Sequence, residues 1–187
     1  SGLNADHQAK YSANRLTVTR QLPYEPSSSK TVDVGLFLNG IPVATAEIKN
    51  HLTGQSAENA KVQYRRDRDP RELLFQFGRC IAHLALDDQQ VRFCTHLKGK
   101  QSWFLPFDKG WNDGAGDAPN PSGVKTDYLW REILAPTSLA NIIENFSGVT
   151  GRVFGFGHAG NDVLDASTLG NIAATLEGGR NNDTING

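Results

Sequence analysis

The sequence contains no methionine, and among its 187 residues only Cys80 and Cys94 are cysteine. The two have no zinc-ligand spacing, although a hairpin around Asp87-Asp88 could bring them close. Both stand in apolar stretches, CIAHLAL and VRFCTHL, and are expected as buried free thiols. No apolar run approaches the ~20 residues of a membrane span, and the N-terminus shows no signal-peptide pattern. Lys and Arg number 19 against 20 Asp and Glu, a formal net charge of −1. Nucleic-acid binding would therefore have to rest on a local basic patch. No G-x-x-x-x-G-K-[ST] phosphate loop occurs, since Gly99-Lys100 lacks the upstream glycine, and ATP hydrolysis by that route is excluded. The length suits one ordinary domain and a small appendage. A chain that opens at Ser1 and holds no methionine is expected to be a piece of a longer protein.

What is present centres on Val32 to Asn50, VDVGLFLNGIPVATAEIKN. Asn39-Gly40 between two apolar alternations predicts a β-hairpin. Val32, Val34, Leu36 and Leu38 share one face of the first strand, with Asp33 on the other. Ala44, Ala46 and Ile48 share a face of the second, with Glu47 and Lys49 opposite. If both apolar rows serve one core, Asp33, Glu47 and Lys49 project together. A strict two-residue turn pairs 38 with 41 and puts the rows on opposite faces. The expectation is therefore a bulge or a three-residue turn that shifts the register by one.

Two carboxylates and a lysine on one sheet face suit a hard divalent cation such as Mg²⁺, with the backbone carbonyl of Ile48 as a further oxygen ligand. Lys49 would then stand where an ammonium can orient or activate water against a phosphodiester. The competing reading is a surface ion-pair cluster, because D-x13-E-x-K is a loose pattern.

The remaining elements follow in order. Arg15 to Pro23 alternates and reads as a first strand. Ser56 can cap a helix that continues through Ala57, Ala60, Lys61 and Tyr64. Arg65, Arg66 and Arg68 cluster in RRDRDPR, either as a solvated face or as contacts to DNA phosphates. Arg79 to Leu86 and Gln90 to Leu97 read as strands, with His83 and His96 as sheet histidines. Trp103 to Phe107 is an apolar edge segment limited by its proline. Asp108 to Gly123 is a long surface loop. Thr126 to Ile133 and Thr137 to Phe146 read as short helices split by Pro136.

The central stretch resembles the PD-(D/E)xK nuclease core, and more closely the N-terminal nuclease domain of the type I restriction enzyme R subunit. The matching residues are Asn14, Arg20-Gln21, Asp33, Phe37-x-Asn39-Gly40-Ile41-Pro42 and Glu47-Ile48-Lys49-Asn50. Ala60-x-x-Gln63-Tyr64, Phe104 to Phe107 and Trp130 to Phe146 extend the match over about Ala9 to Phe146. The resemblance implies an α/β fold with a mixed sheet of about five strands flanked by helices. It implies Asp33, Glu47, Lys49 and Gln63 as catalytic residues, with Asp33, Glu47 and the Ile48 backbone holding Mg²⁺. Gln63 matches the glutamine of a Q-x-x-x-Y motif, but Asp67 stands at the tyrosine position and Tyr64 directly follows the glutamine. Gln21 matches another family glutamine and is read as a sheet-face hydrogen bonder. By the same resemblance the chain is a cytoplasmic, metal-dependent endonuclease domain of a restriction-modification complex. Its partners are double-stranded DNA and the methylation and specificity subunits, and ATP serves only a motor that this chain does not contain.

From Ser147 glycine becomes frequent. GHAGNDVLD and GGRNNDTING resemble the RTX nonapeptide of calcium-binding β-rolls. Residues 1–146 are thus expected as the nuclease domain and 147–187 as an RTX-like tail, with Asp162 and Asp183 as candidate Ca²⁺ ligands. Two other readings remain. One is a catalytically silent module that docks on a partner subunit through Trp130 to Phe146. The other is a fragment of a secreted calcium-binding protein defined by its tail.

Overall fold

The computed structural model describes residue 9, residues 11–25 and 28–146, and four strands at 152–156, 163–165, 173–177 and 184–186. The chain divides into two compact units, Ser1–Leu134 and Ala135–Gly187.

The first unit is an α/β fold built on one six-stranded mixed sheet. Its strands are β1 (Leu16–Pro23), β2 (Thr31–Leu38), β3 (Ile41–Ile48), β4 (Ala82–Leu86), β5 (Val91–Cys94) and β6 (Leu105–Pro106), adjacent in that order. All neighbours are antiparallel except β3 and β4. That parallel pair requires a crossover, supplied by helix α1 (Ala57–Asp67). Six strands replace the expected five because Leu105–Pro106 adds a short edge to β5, where a proline is tolerated.

The β2–β3 hairpin combines a two-residue turn with a bulge. Asn39 (φ 52°) and Gly40 (φ 84°) both adopt the left-handed conformation that such a turn demands, and Leu38 pairs with Ile41. Further along, Phe37 pairs with Pro42 but Leu36 with Ala44, leaving Val43 as the extra residue. The shift aligns the two apolar rows as expected. Asn39 also ties the turn to the start of β1. Its side-chain oxygen accepts the Arg15 N–H at 2.8 Å and its amide donates to Asn14 at 2.9 Å.

The aligned rows pack one core: Val34, Leu36, Ala44, Ala46, Leu84, Leu86 and Val91, with Tyr128 and Leu129 against them. The opposite face is not a solvated polar face. Helix α1 covers it through Ala57, Ala60 and Tyr64, spaced at helical intervals. Phe75, Leu97 and Phe104 complete this second core. The α1 N-terminus is fastened from outside the helix as well as within it. Asn59 accepts the Ser56 N–H at 2.9 Å, and Asp87, at the end of β4, accepts the Ala57 N–H at 2.7 Å.

Cys80 and Cys94 are buried free thiols. Of the two short helices expected after the long loop, the first is a π-helical turn, Leu129–Ile133. Pro136 does not separate it from the second but opens helix α2 (Pro136–Phe146), a position where its missing N–H costs nothing. Helix α2 falls in the second unit, whereas the sequence pattern closes the first at Phe146. That unit also contains β7 (Arg152–Phe156), β8 (Val163–Asp165), β9 (Ala173–Glu177) and β10 (Thr184–Asn186), which pair in parallel as β7 with β9 and β8 with β10. Asp162 and Asp183 lie outside the described residues.

Candidate active site

The register that aligns the apolar rows also places Asp33 across from Glu47, one step beyond the Val34–Ala46 pair. Directly opposed side chains have Cβ atoms about 4.5–5.5 Å apart, so the two carboxylates share one locus. Asp33 is half-buried and held at both oxygens. Its Oδ2 accepts the Ile48 N–H at 2.8 Å, and its Oδ1 accepts from Gln21 Nε2 at 3.2 Å. Gln21 in turn accepts from the Thr31 hydroxyl at 2.8 Å. The Gln21 backbone is left-handed (φ 47°), an arrangement that costs a non-glycine residue about 1–2 kcal/mol. Here the strained residue is the one that orients a candidate catalytic carboxylate.

Glu47 is fully buried and ion-paired to Arg68. Arg68, the first residue after α1, donates to Glu47 Oε1 from Nε at 2.7 Å and approaches it with Nη2 at 2.5 Å. Arg68 is itself only 5% exposed. Its Nη2 also donates to the Thr31 carbonyl at 2.8 Å and its Nη1 to the Tyr24 hydroxyl at 3.2 Å. The guanidinium lies over the Tyr24 ring, 5.4 Å from its centroid. Glu47 Oε2, by contrast, is buried without a hydrogen-bond partner among the described residues. Burial pushes the Glu47 carboxyl up to about 7; Arg68 pulls against this, Asp33 adds to it and Lys49 opposes it.

Lys49 is half-buried and close enough to Glu47 to favour its anion. Its N–H donates to the Leu86 carbonyl at 2.9 Å, extending the parallel ladder by one rung. Its ammonium has no ion-pair partner among the described residues. Gln63 is half-buried on α1, and its side-chain amide makes no hydrogen bond among the described residues. Tyr64 points inward instead, fully buried, with its hydroxyl 2.8 Å from Thr45 Oγ1. It is a core residue.

The three arginines are placed differently from one another. Arg66 is exposed. Arg65 is half-buried and donates to the Ser102 carbonyl at 3.1 and 2.9 Å. Arg68 is spent on Glu47. Around them runs an open concavity of about 750 Å³ whose cations are Lys30, Arg65, Arg66, Arg68 and Lys100, with Asp67 and Asp69 between them. Lys30 and Lys100 carry no motif; only the folded chain groups them with the arginines. Gln21 is the sheet-face hydrogen bonder expected from the sequence, whereas the role of Arg68 is not disclosed by the local pattern.

A pH experiment reads this burial directly. In the metal-free protein, folded Glu47 keeps a proton between pH 4.5 and about 7 that the unfolded chain has released. Its contribution is full below pH 4.5 and is lost as pH rises through 7. His83 is buried, 2.8 Å from the Thr45 hydroxyl, and burial pushes it down from 6.5 to about 4. Its contribution is full above pH 6.5 and is lost as pH falls through 4. The two windows overlap with opposite signs, each about 3 kcal/mol at about 1.4 kcal/mol per pH unit. Wild-type stability in chelator should stay nearly level from pH 6.5 to 4.5. Glu47→Gln should lose about 3 kcal/mol over the same span by urea unfolding. Parallel profiles for the two proteins would show that Glu47 titrates at an ordinary pH.

The donor set of Asp33, Glu47 and the Ile48 carbonyl is all hard oxygen, and the orphaned buried Oε2 is the kind of atom a divalent ion satisfies. In comparisons with known proteins, the family model for the type I restriction enzyme R protein N terminus matches residues 5–102, just over half of the chain. No curated protein and no solved structure gives a significant match.

Proposed function

The chain belongs to the family of the type I restriction enzyme R protein N terminus, and from that membership we propose that it is a metal-dependent DNA endonuclease domain. It would be the cutting part of an ATP-driven type I restriction complex. The observation that carries this reading is the opposition of Asp33 and Glu47, with one Glu47 oxygen buried and unpartnered.

Asp33, Glu47 and the Ile48 carbonyl would hold Mg²⁺. When bound, the ion supplies Lewis-acid polarisation of a phosphodiester oxygen and lowers the cost of placing two carboxylates together. The other groups act directly. Lys49, uncommitted at the locus, orients the attacking water and offsets the charge that develops on the phosphate. Gln63, whose side-chain amide is unpaired among the described residues, donates a hydrogen bond from its NH2 to the scissile phosphate. Lys30, Arg65, Arg66 and Lys100 line a groove that receives backbone phosphates, which sets the position of a duplex without reading its sequence. Site choice and ATP use would then belong to the methylation and specificity subunits and to a motor outside this chain. Among the described residues no helix is long and apolar enough to cross a membrane.

The test pairs cleavage with binding. Supercoiled plasmid should be nicked in Mg²⁺ and not in EDTA. Asp33→Asn, Glu47→Gln and Lys49→Ala should each abolish nicking. Independently of turnover, Mg²⁺ at a hundred times its Kd should stabilise the wild type by about 2.7 kcal/mol, and Asp33→Asn should remove that gain. An equal Mg²⁺ effect in wild type and Asp33→Asn, with no nicking by either, would sink the nuclease reading in favour of a silent docking module.

A further inference from the structure

The pairing between Arg68 and Glu47 is asymmetric. A guanidinium facing a carboxylate ordinarily engages both oxygens with two parallel N–H groups. Here Nε and Nη2 converge on the same atom, Oε1, at 2.7 and 2.5 Å. The cause lies in what else holds the guanidinium. The Thr31 carbonyl draws Nη2 toward β2, the Tyr24 hydroxyl takes Nη1, and the Tyr24 ring lies against its face. These three contacts come from β2 and from the segment after β1, not from β3. They fix the fork in a pose that cannot reach the second oxygen. Glu47 Oε2 is left buried and without a hydrogen bond. An orphaned carboxyl oxygen in the interior is costly.

Resting on the reading that Asp33 and Glu47 share a divalent ion, we infer that Arg68 is the positioning residue of that site. It fastens Glu47 through Oε1 and leaves Oε2 as the oxygen offered to the ion. Asp33 is treated in a parallel way, held by the Ile48 N–H and by Gln21. Each carboxylate is thus oriented by its own partner before an ion arrives. Arg68 also supplies a permanent positive charge against Glu47, which offsets the cost of setting that carboxylate opposite Asp33 in the absence of metal. This departs from a role at DNA phosphates: a guanidinium that is 5% exposed and fully committed cannot also clamp the duplex.

The experiment is calorimetric titration of the full chain with Mg²⁺ alone, without DNA. Wild type is compared with Asp33→Asn, Arg68→Lys, Arg68→Gln and Tyr24→Phe, each first shown folded by near-UV circular dichroism. Loss of an outer partner of a metal ligand weakens binding by roughly 10–100-fold. Arg68→Lys and Arg68→Gln should both fall in that range, because an ammonium cannot hold the same three partners. Tyr24→Phe, which loosens Arg68 without touching Glu47, should fall between them and wild type. Guanidinium ion at millimolar concentration should restore part of the affinity of Arg68→Gln and leave wild type unchanged, which a merely structural role would not produce. If Arg68→Gln does not fold, Arg68→Lys and Tyr24→Phe decide. Asp33-dependent binding in wild type with unchanged affinity in the folded Arg68 variants overturns the positioning role alone. Tighter binding in those variants overturns it too, since Arg68 would then compete with the ion. Wild type without any Asp33-dependent Mg²⁺ overturns the nuclease reading beneath it.

Discussion

Arg68→Ala should lower the unfolding free energy at pH 8 by about 3–5 kcal/mol, because it leaves the buried Glu47 carboxylate without its partner. Two features set the size of this effect. Glu47 is fully buried, so water cannot replace the guanidinium. Arg68 also closes contacts to Thr31 and Tyr24 that vanish with it. The loss should shrink toward pH 5, where Glu47 escapes its unpaired charge by taking up a proton, and removing Arg68 takes away a group that favours the anion. A double replacement, Arg68→Met with Glu47→Leu, should recover most of the stability, since hydrophobic groups of similar volume often substitute for a buried ion pair. Urea unfolding at pH 5 and pH 8 measures all three. A loss below about 1 kcal/mol at pH 8, the value of an exposed pair, would mean that the pair is solvated in solution.

The second large effect is expected at Tyr64. Tyr64→Ala should cost about 3–5 kcal/mol, as deletion of a buried aromatic does. The ring sits at the centre of the α1 face of the sheet, edge-on to Phe75 with centroids 6.4 Å apart and tilted against Phe104 and His83 at 5.7 and 5.8 Å. Tyr64→Phe keeps the ring and removes only the hydroxyl, so about 1 kcal/mol should be lost. The Thr45 hydroxyl retains its other neighbour, His83 Nδ1 at 2.8 Å. Mg²⁺ affinity should be the same in Tyr64→Phe and wild type. A drop in affinity without a matching drop in stability would place Tyr64 among the groups that serve the metal site.

These two residues also mark the boundary between what is legible locally and what is not. The turn, both strands, the need for a register shift and the common face of Asp33, Glu47 and Lys49 all follow from alternation around Asn39-Gly40. A period-two pattern leaves only two faces, and burial of the apolar rows selects between them. The start of α1 follows in the same way from Ser56 and the residues behind it. Such features are decided by neighbours a few positions away, so the amino-acid order by itself determined them, and with them the candidate carboxylate pair; the α/β class was implied by the family resemblance.

The tertiary structure decided the environment of that pair. Alternation says that Glu47 points away from one core. It does not say that α1 and Phe75 build a second core on that face, or that Glu47 is buried there. Arg68 in RRDRDPR is indistinguishable in pattern from Arg65 and Arg66, yet it alone leaves the helix in an extended conformation and folds back on Glu47, 21 residues earlier. Gln21 reaches Asp33 only because its backbone adopts φ 47° inside a strand. Each of these contacts is set by where a crossover helix ends or a strand deviates. Long-range packing fixes such endpoints, because the free energy gained by burying a face outweighs the small local preferences that a sequence pattern records.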